Sequence, residues 1–307
     1  MNIFHNGNMF EYRQLEALGA VIEHGGFDKA SEALGVTQSA VTHRIKHLET
    51  YVGKPLLIRS TPPVPTEDGI PLYKHYRKMR LLEEDLKDIL DKDRGEQALS
   101  IGIHASALGS WYMPVLHRIM KSTLIDLHVG EAKVVHNLLQ KGELAGCISI
   151  RSKPSRGCFV EYLGQLLLRC VATKSFQKRY FPQGMGVEEM KKAPCVLFHR
   201  ESQMMRMFQI NVMNEAPFEV PTHIIPPQHE YMEIICGGEA YGFLPEPLFN
   251  QLKASRGLID LSPLDPIVLP QYWHRWGIES DLLELLTNEI RKEARASLLQ
   301  TEEERSR

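Results

Sequence analysis

The segment from Glu11 to Gly53 constrains this chain most, because it carries helical periodicity punctuated by glycines and no strand-like alternation. Gly25-Gly26 closes a first helix, Asp28 to Leu34 make a short second one, Gly35-Val36 form a tight turn, and Thr37 caps a third. On the third helix Val41, Ile45 and Leu48 fall at i, i+4 and i+7, one apolar stripe that must be buried. Gln38, Ser39, Thr42, His43 and Lys46 are then left outward, all able to hydrogen-bond. Helix, short turn, helix is an arrangement that reads DNA, with the start of its second helix entering the major groove. Gln38, Ser39, Thr42 and His43 are the expected base readers, since Gln bonds adenine bidentately and Ser or Thr bonds either partner.

Affinity needs phosphate contacts as well. Arg44, Lys46, Lys54 and Arg59 face only Glu49 between Thr37 and Ser60, and the capping residue Thr37 stands at the same helix start. The competing reading is a three-helix structural module whose third helix is merely solvated. The module ends at the Pro-rich stretch Arg59 to Thr66, a wing or linker turn.

From Glu67 to Asp93 the residues Leu72, Tyr76, Met79, Leu82, Leu86 and Ile89 recur in steps of four and three, the seam of a long helix that packs on a partner helix. Pro71 removes one early hydrogen bond, so a start later than Glu67 or a first-turn irregularity is expected. After Gly95, short apolar runs alternate with amphipathic stretches: Leu99 to Ile103, Trp111 to Met120, Ile125 to Val129, Lys133 to Lys141, Cys147 to Ile150. That order predicts a mainly parallel sheet covered by helices. A second set follows the run Leu166 to Val171, so two α/β lobes are expected, and the strand Ile267 to Trp273 with the helix Asp281 to Leu299 returns to the first.

Composition excludes several classes. With 307 residues the chain has room for two or three domains, and 43% apolar with 24% charged residues is globular usage. Its charge sum, 36 − 38 = −2, leaves any nucleic-acid surface to local clustering. Five scattered cysteines without a Cys-x-x-Cys pair fit a reducing cytoplasm, and no uncharged apolar stretch of membrane-spanning length occurs. Met1 to Asn8 lacks the basic charge and apolar run of a leader, so a cytoplasmic protein without a membrane partner is expected.

Phe27-Asp28-Lys29-Ala30-Ser31-Glu32-Ala33-Leu34, Thr37-Gln38-Ser39-Ala40-Val41-Thr42, Ile45, Leu48-Glu49, Gly53, Pro55-Leu56-Leu57, Arg59, Pro65-Thr66 and Gly69 resemble the winged helix-turn-helix of LysR-type transcriptional regulators. Thr42 and Leu57 replace the more usual Ser and Phe. Within the family, Gln38 to Lys46, Arg59 to Pro65, Tyr272-Trp273-His274-Arg275 and Glu279-Ser280 resemble the ArgP/LysG branch, regulators of basic amino-acid export. The resemblance implies an α+β multidomain fold. It comprises an amino-terminal all-α winged helix-turn-helix (1–66), a long linker helix that pairs protomers (67–94), and a two-lobed α/β effector-binding domain of periplasmic-binding-protein type II topology (95–300). Lobe I would take 95–168 and 267–300, and lobe II 169–266. Implied partners are double-stranded operator DNA, a small effector between the lobes, a second copy in a homodimer, a homotetramer on the operator, and RNA polymerase.

An effector belongs where loops follow strand ends, near unpaired backbone N–H groups. Ser106 and Ser110 can donate to a carboxylate there, and Trp111 can line a wall. Glu131 is placed to meet an ammonium, Ser149 ends the third strand, and His199 and Glu201 hold the corresponding loop of the second lobe. For each, a helix cap or satisfied surface polar group is the competing role, and for Trp111 plain core. Where the branch carries acids this chain has Ser106, His199, Ser202 and Gln203, which argues for a less basic ligand than lysine or arginine.

Catalytic chemistry has no visible constellation. His229-Glu230-Tyr231-Met232-Glu233 begins like a zinc-protease helix but has Glu where the second His must stand, and His43 with His47 lack a third ligand. No catalytic residue, metal site or cofactor is therefore expected. The rival reading is an enzyme with a fused helical domain that transforms a small molecule, and a third is a passive solute binder or DNA-architecture protein.

Overall fold

The computed structural model describes residues 10–89, 98–226 and 228–300. The expected leader-free start and the end of the linker at 90–94 lie outside them. The chain divides into two compact units. One gathers the amino-terminal helices with Asn137–Ala145 and Ile278–Leu282, and the other holds the sheet.

In the first unit α1 (Tyr12–His24), α2 (Phe27–Leu34) and α3 (Gln38–Val52) pack around Leu15, Leu18, Val21, Ala30, Val41, Ile45 and Leu48, all buried. Gly35 and Gly53 stop α2 and α3 in the left-handed conformation that a side chain disfavours. The Thr37 hydroxyl starts α3 by accepting from the Ala40 N–H at 3.2 Å. Beyond α3 the module is not wholly helical, because β1 (Leu57–Ile58) and β2 (Val64–Pro65) form a two-residue antiparallel wing. Glu49 ties that wing to α3, its carboxylate accepting the Leu56 N–H at 2.8 Å.

α4 (Gly69–Ile89) starts two residues after Glu67, which leaves Pro71 in its first turn where a missing N–H costs nothing. Its 21 residues span roughly 30 Å. The apolar seam is divided along its length. Leu72, Tyr73 and Tyr76 are buried in the module's own core, whereas Leu82 and Leu86 are 41% and 52% exposed. Glu23 of α1 fixes the first half further, meeting Arg77 at 3.5 Å and Arg80 at 3.4 Å.

In the second unit β3 (Leu99–Ile103), β4 (Ile125–Val129) and β5 (Gly146–Ser149) are parallel, with β3 central. Between β3 and β4 come α5 (Ala105–Ala107), a π turn (Leu108–Tyr112) and α6 (Met113–Ile119), and α7 (Ala132–Lys141) joins β4 to β5. β6 (Cys158–Thr173) then runs through both lobes. The second lobe adds α8 (Lys174–Tyr180), α9 (Val187–Met190), β7 (Cys195–Leu197), α10 (Met204–Asn211) and β8 (Thr222–Ile224). It continues with α11 (Gln228–Gly237), β9 (Gly242–Pro245), α12 (Glu246–Arg256) and β10 (Leu258–Asp260), before β11 (Ile267–Trp276) and α13 (Asp281–Ser297) close the chain.

The expected mainly parallel sheet is instead mixed. β11 lies antiparallel between β5 and β6, and β6 also pairs antiparallel with β9 and β10. A strand that returns from the second lobe to complete the first must run against β5, and nothing in a local apolar run reveals that direction. Trp273 on β11 locks α13 to the sheet, its indole N–H donating to the Thr287 hydroxyl at 3.0 Å.

Candidate DNA interface and effector cleft

On α3 the buried stripe and the polar face separate as the periodicity requires. Val41, Ile45 and Leu48 are inaccessible, while Gln38, Ser39, Thr42, His43 and Lys46 are exposed. The wing comes down beside the start of this helix, so that Gln38, Thr42, Arg59, Ser60, Thr61 and Asp28 line one open depression. Arg59 and Lys46 make no ion pair or side-chain hydrogen bond among the described residues, which leaves both guanidinium and ammonium available to an anion. The other basic residues are partly engaged: Arg44 stands 3.9 Å from Glu16, and Lys54 meets Asp68 at 2.8 Å. His47 stays exposed but is engaged by Gln14, at 2.7 Å, with its ring stacked on that of His43.

A second site lies between the two lobes of the sheet unit. β3 delivers His104 to its carboxyl end, where the imidazole Nδ1 lies 2.7 Å from the Ser106 hydroxyl and Nε2 lies 3.4 Å from the Glu131 carboxylate. Across from them stand Phe198, Ser202, Met204, Tyr231, Met232 and Leu248 of the second lobe. Phe198 stacks on Tyr231, with centroids 4.0 Å apart and planes 18° from parallel. The Tyr231 hydroxyl is consumed by the backbone of Phe243, accepting its N–H at 2.8 Å and donating to its carbonyl at 3.0 Å. Burial pushes that phenol far above its ordinary pKa. The remaining cavity measures about 30 Å³, space for little more than water. A ligand larger than water would therefore have to displace the flexible Met204 and Met232 side chains or part the lobes.

Of the residues expected to bind an effector, the structure brings together Ser106 and Glu131. Ser110 turns back to the Ser106 carbonyl at 2.6 Å, within the π turn. Trp111 is 2% exposed and belongs to the core of the first lobe. Ser149 is fully buried against His136, at 3.0 Å. His199 and Glu201 sit on the loop after β7 but are not among the cleft-lining residues. His104 was within reach of sequence reasoning, because it follows an apolar strand as Glu131 does. Phe198, Tyr231 and Met232 carried no such signal, since an aromatic or Met on an amphipathic stretch reads as core. Among the described residues no group of three His, Cys, Asp or Glu side chains could hold a metal, and no helix is long and apolar enough to cross a membrane.

Comparison with known proteins decides the family. The bacterial regulatory helix-turn-helix protein family, lysR, matches residues 12–70, which run from α1 to the start of α4. Over 295 residues the chain is 34% identical to the HTH-type transcriptional regulator ArgP of Vibrio vulnificus, a match covering 94% of this chain and 99% of that protein. It is 36% identical over 295 residues to ArgP of Photobacterium profundum, with the same coverage. The chain belongs to the LysR family of transcriptional regulators. Among solved structures, ArgP from Mycobacterium tuberculosis superposes with a TM-score of 0.86 at 28% identity, covering 94% of this chain and 98% of that one. Full-length LysG from Corynebacterium glutamicum with bound effector Arg gives 0.77 at 29% identity, covering 94% and 100%. The LysR resemblance drawn from Phe27 to Gly69 is confirmed, and the fused-enzyme alternative finds no support among these regulators.

Proposed function

We propose that this LysR-type regulator lays α3 in the major groove of operator DNA and adjusts its grip through an amino acid held at the His104, Ser106 and Glu131 cleft. In this reading Gln38, Ser39, Thr42 and His43 meet base edges, while Thr37, Arg44, Lys46, Lys54 and Arg59 hold phosphates. One observation carries it: the exposed face of α3 is polar throughout its first two turns, directly opposite a fully buried apolar stripe. The exposed Leu82 and Leu86 support α4 as the surface that pairs protomers into a dimer, which two half-sites on the operator then select. Assembly of dimers into a tetramer and contact with RNA polymerase in the cytoplasm belong to the same proposal, as do the domain limits 1–66, 67–94 and 95–300.

An amino-acid effector is supported by the relatives, since LysG of Corynebacterium glutamicum holds Arg as its effector. Regulation then requires that the effector bind two arrangements of the paired modules with unequal affinity. The test is selection of bound sequences from random duplex DNA by the full-length protein, followed by footprinting with and without each amino acid. A preferred sequence whose protected length or affinity changes with one amino acid is expected. Binding without sequence preference, or a footprint indifferent to all of them, overturns the reading.

A further inference from the structure

We infer that the effector of this chain is a zwitterionic amino acid with an uncharged, apolar side chain. The inference rests on the proposed reading of the cleft and deepens it. Among the described residues Glu131 is the one carboxylate lining the cavity, and it already faces His104. A ligand's α-ammonium takes this acid, and the Ser202 hydroxyl, which accepts the Met204 N–H, keeps its proton to donate to the ligand's carboxylate. A second positive charge, at the end of a lysine or arginine side chain, finds no acceptor of opposite sign. Every other side chain it could approach is apolar or, like Tyr231, has its hydroxyl already committed to the backbone. Burying a cation there without a partner is costly.

An apolar side chain meets the opposite situation. The stacked Phe198 and Tyr231 rings give it a flat wall, and Met204, Met232 and Leu248 can rearrange around its shape. Burial of apolar surface then favours binding in proportion to the area covered.

The experiment is calorimetric titration of the full-length chain with L-methionine, L-leucine, L-phenylalanine, L-lysine and L-arginine, repeated on Met232→Trp and Met232→Glu. Met232 is half-buried at the cleft, so both variants are expected to fold, which far-ultraviolet circular dichroism and retained DNA binding check. At least one apolar amino acid should bind about tenfold or more tightly than either basic one. Met232→Trp should abolish that binding, and Met232→Glu should shift preference toward lysine or arginine. If a basic amino acid binds as tightly as the apolar ones and Met232→Trp removes it, the side-chain assignment is overturned while the cleft reading stands. Affinity unchanged in Met232→Trp places the effector elsewhere and overturns both. Absence of binding by all three apolar amino acids also overturns the inference.

Discussion

His136 and His274 meet edge to face in the first lobe, with ring centroids 4.4 Å apart, and both are buried. The Ser149 hydroxyl accepts the Arg151 N–H at 3.3 Å and lies 3.0 Å from His136 Nε2. The buried setting assigns a neutral imidazole to His136. Burial, then His274, then Arg151 lower its pKa from 6.5 to about 4. Because the folded value lies below the unfolded one, the unfolded chain binds more protons between about pH 6.5 and 4, and stability is lost as pH falls through that window. This single group contributes a slope of up to about 1.4 kcal/mol per pH unit. His136→Gln, which stays neutral, should therefore flatten the decline of the melting temperature between pH 6.5 and 4 relative to wild type. Parallel curves for the two proteins would refute the assignment.

The same contact separates a structural serine from a ligand-binding one. Ser149→Ala leaves a buried imidazole nitrogen and the Arg151 N–H without their partner, which should cost about 1 to 3 kcal/mol. Amino-acid affinity should remain within about twofold of wild type, because Ser149 does not line the cleft. Thermal melting alongside titration with the effector checks both halves. A loss of affinity at unchanged stability would return Ser149 to the effector site.

How much of this was legible depends on where each contact comes from. α3 was legible because its determinants are local: a capping threonine, a glycine stop, and three apolar residues on one face. The first half of β6 was not. Cys158 to Gln165 contains Glu161 and Gln165 among its apolar residues and becomes a strand by pairing with β11, more than 100 residues later. Likewise Ser106 and Glu131 were accessible to reasoning because polar residues at strand ends mark loops. Phe198, Tyr231 and Met232 became cleft residues only through the antiparallel return of β11 and β9 around β6. The linker seam shows the converse. Its periodicity was visible throughout, yet sequence could not say that Tyr76 would be spent on α1 and Leu82 left for another surface.

On DNA, Gln38 and Arg59 line the same depression yet should behave differently. Gln38→Ala removes a bidentate donor and acceptor and should cost about 1 to 3 kcal/mol at the preferred sequence while relaxing preference at one base pair. Arg59→Ala should weaken all sequences alike and reduce the salt slope of binding by about one. Fluorescence anisotropy across a salt series with preferred and scrambled duplexes separates the two. A Gln38 variant that keeps wild-type discrimination is incompatible with α3 in the groove.

Packing of α1 on α4 turns on Gly19, which lies directly beneath the Tyr76 ring with no space for a Cβ. Tyr76 cannot retreat cheaply, because it is buried in the module core, while its hydroxyl meets Arg80 at 3.4 Å. Gly19→Ala thus forces the ring or the two helices apart, an overpacking that typically costs about 1 to 3 kcal/mol despite alanine's better helix propensity. Gly26 supplies the control. Its φ of 173° is extended backbone open to any residue, and a Cβ there meets nothing within 4 Å. Gly26→Ala should accordingly leave stability within about 0.5 kcal/mol of wild type. Chemical denaturation of both variants, with DNA affinity measured in parallel, distinguishes close packing from a general intolerance of this module to substitution. Equal losses at the two positions would show that the Gly19 and Tyr76 contact does not govern how α4 is held.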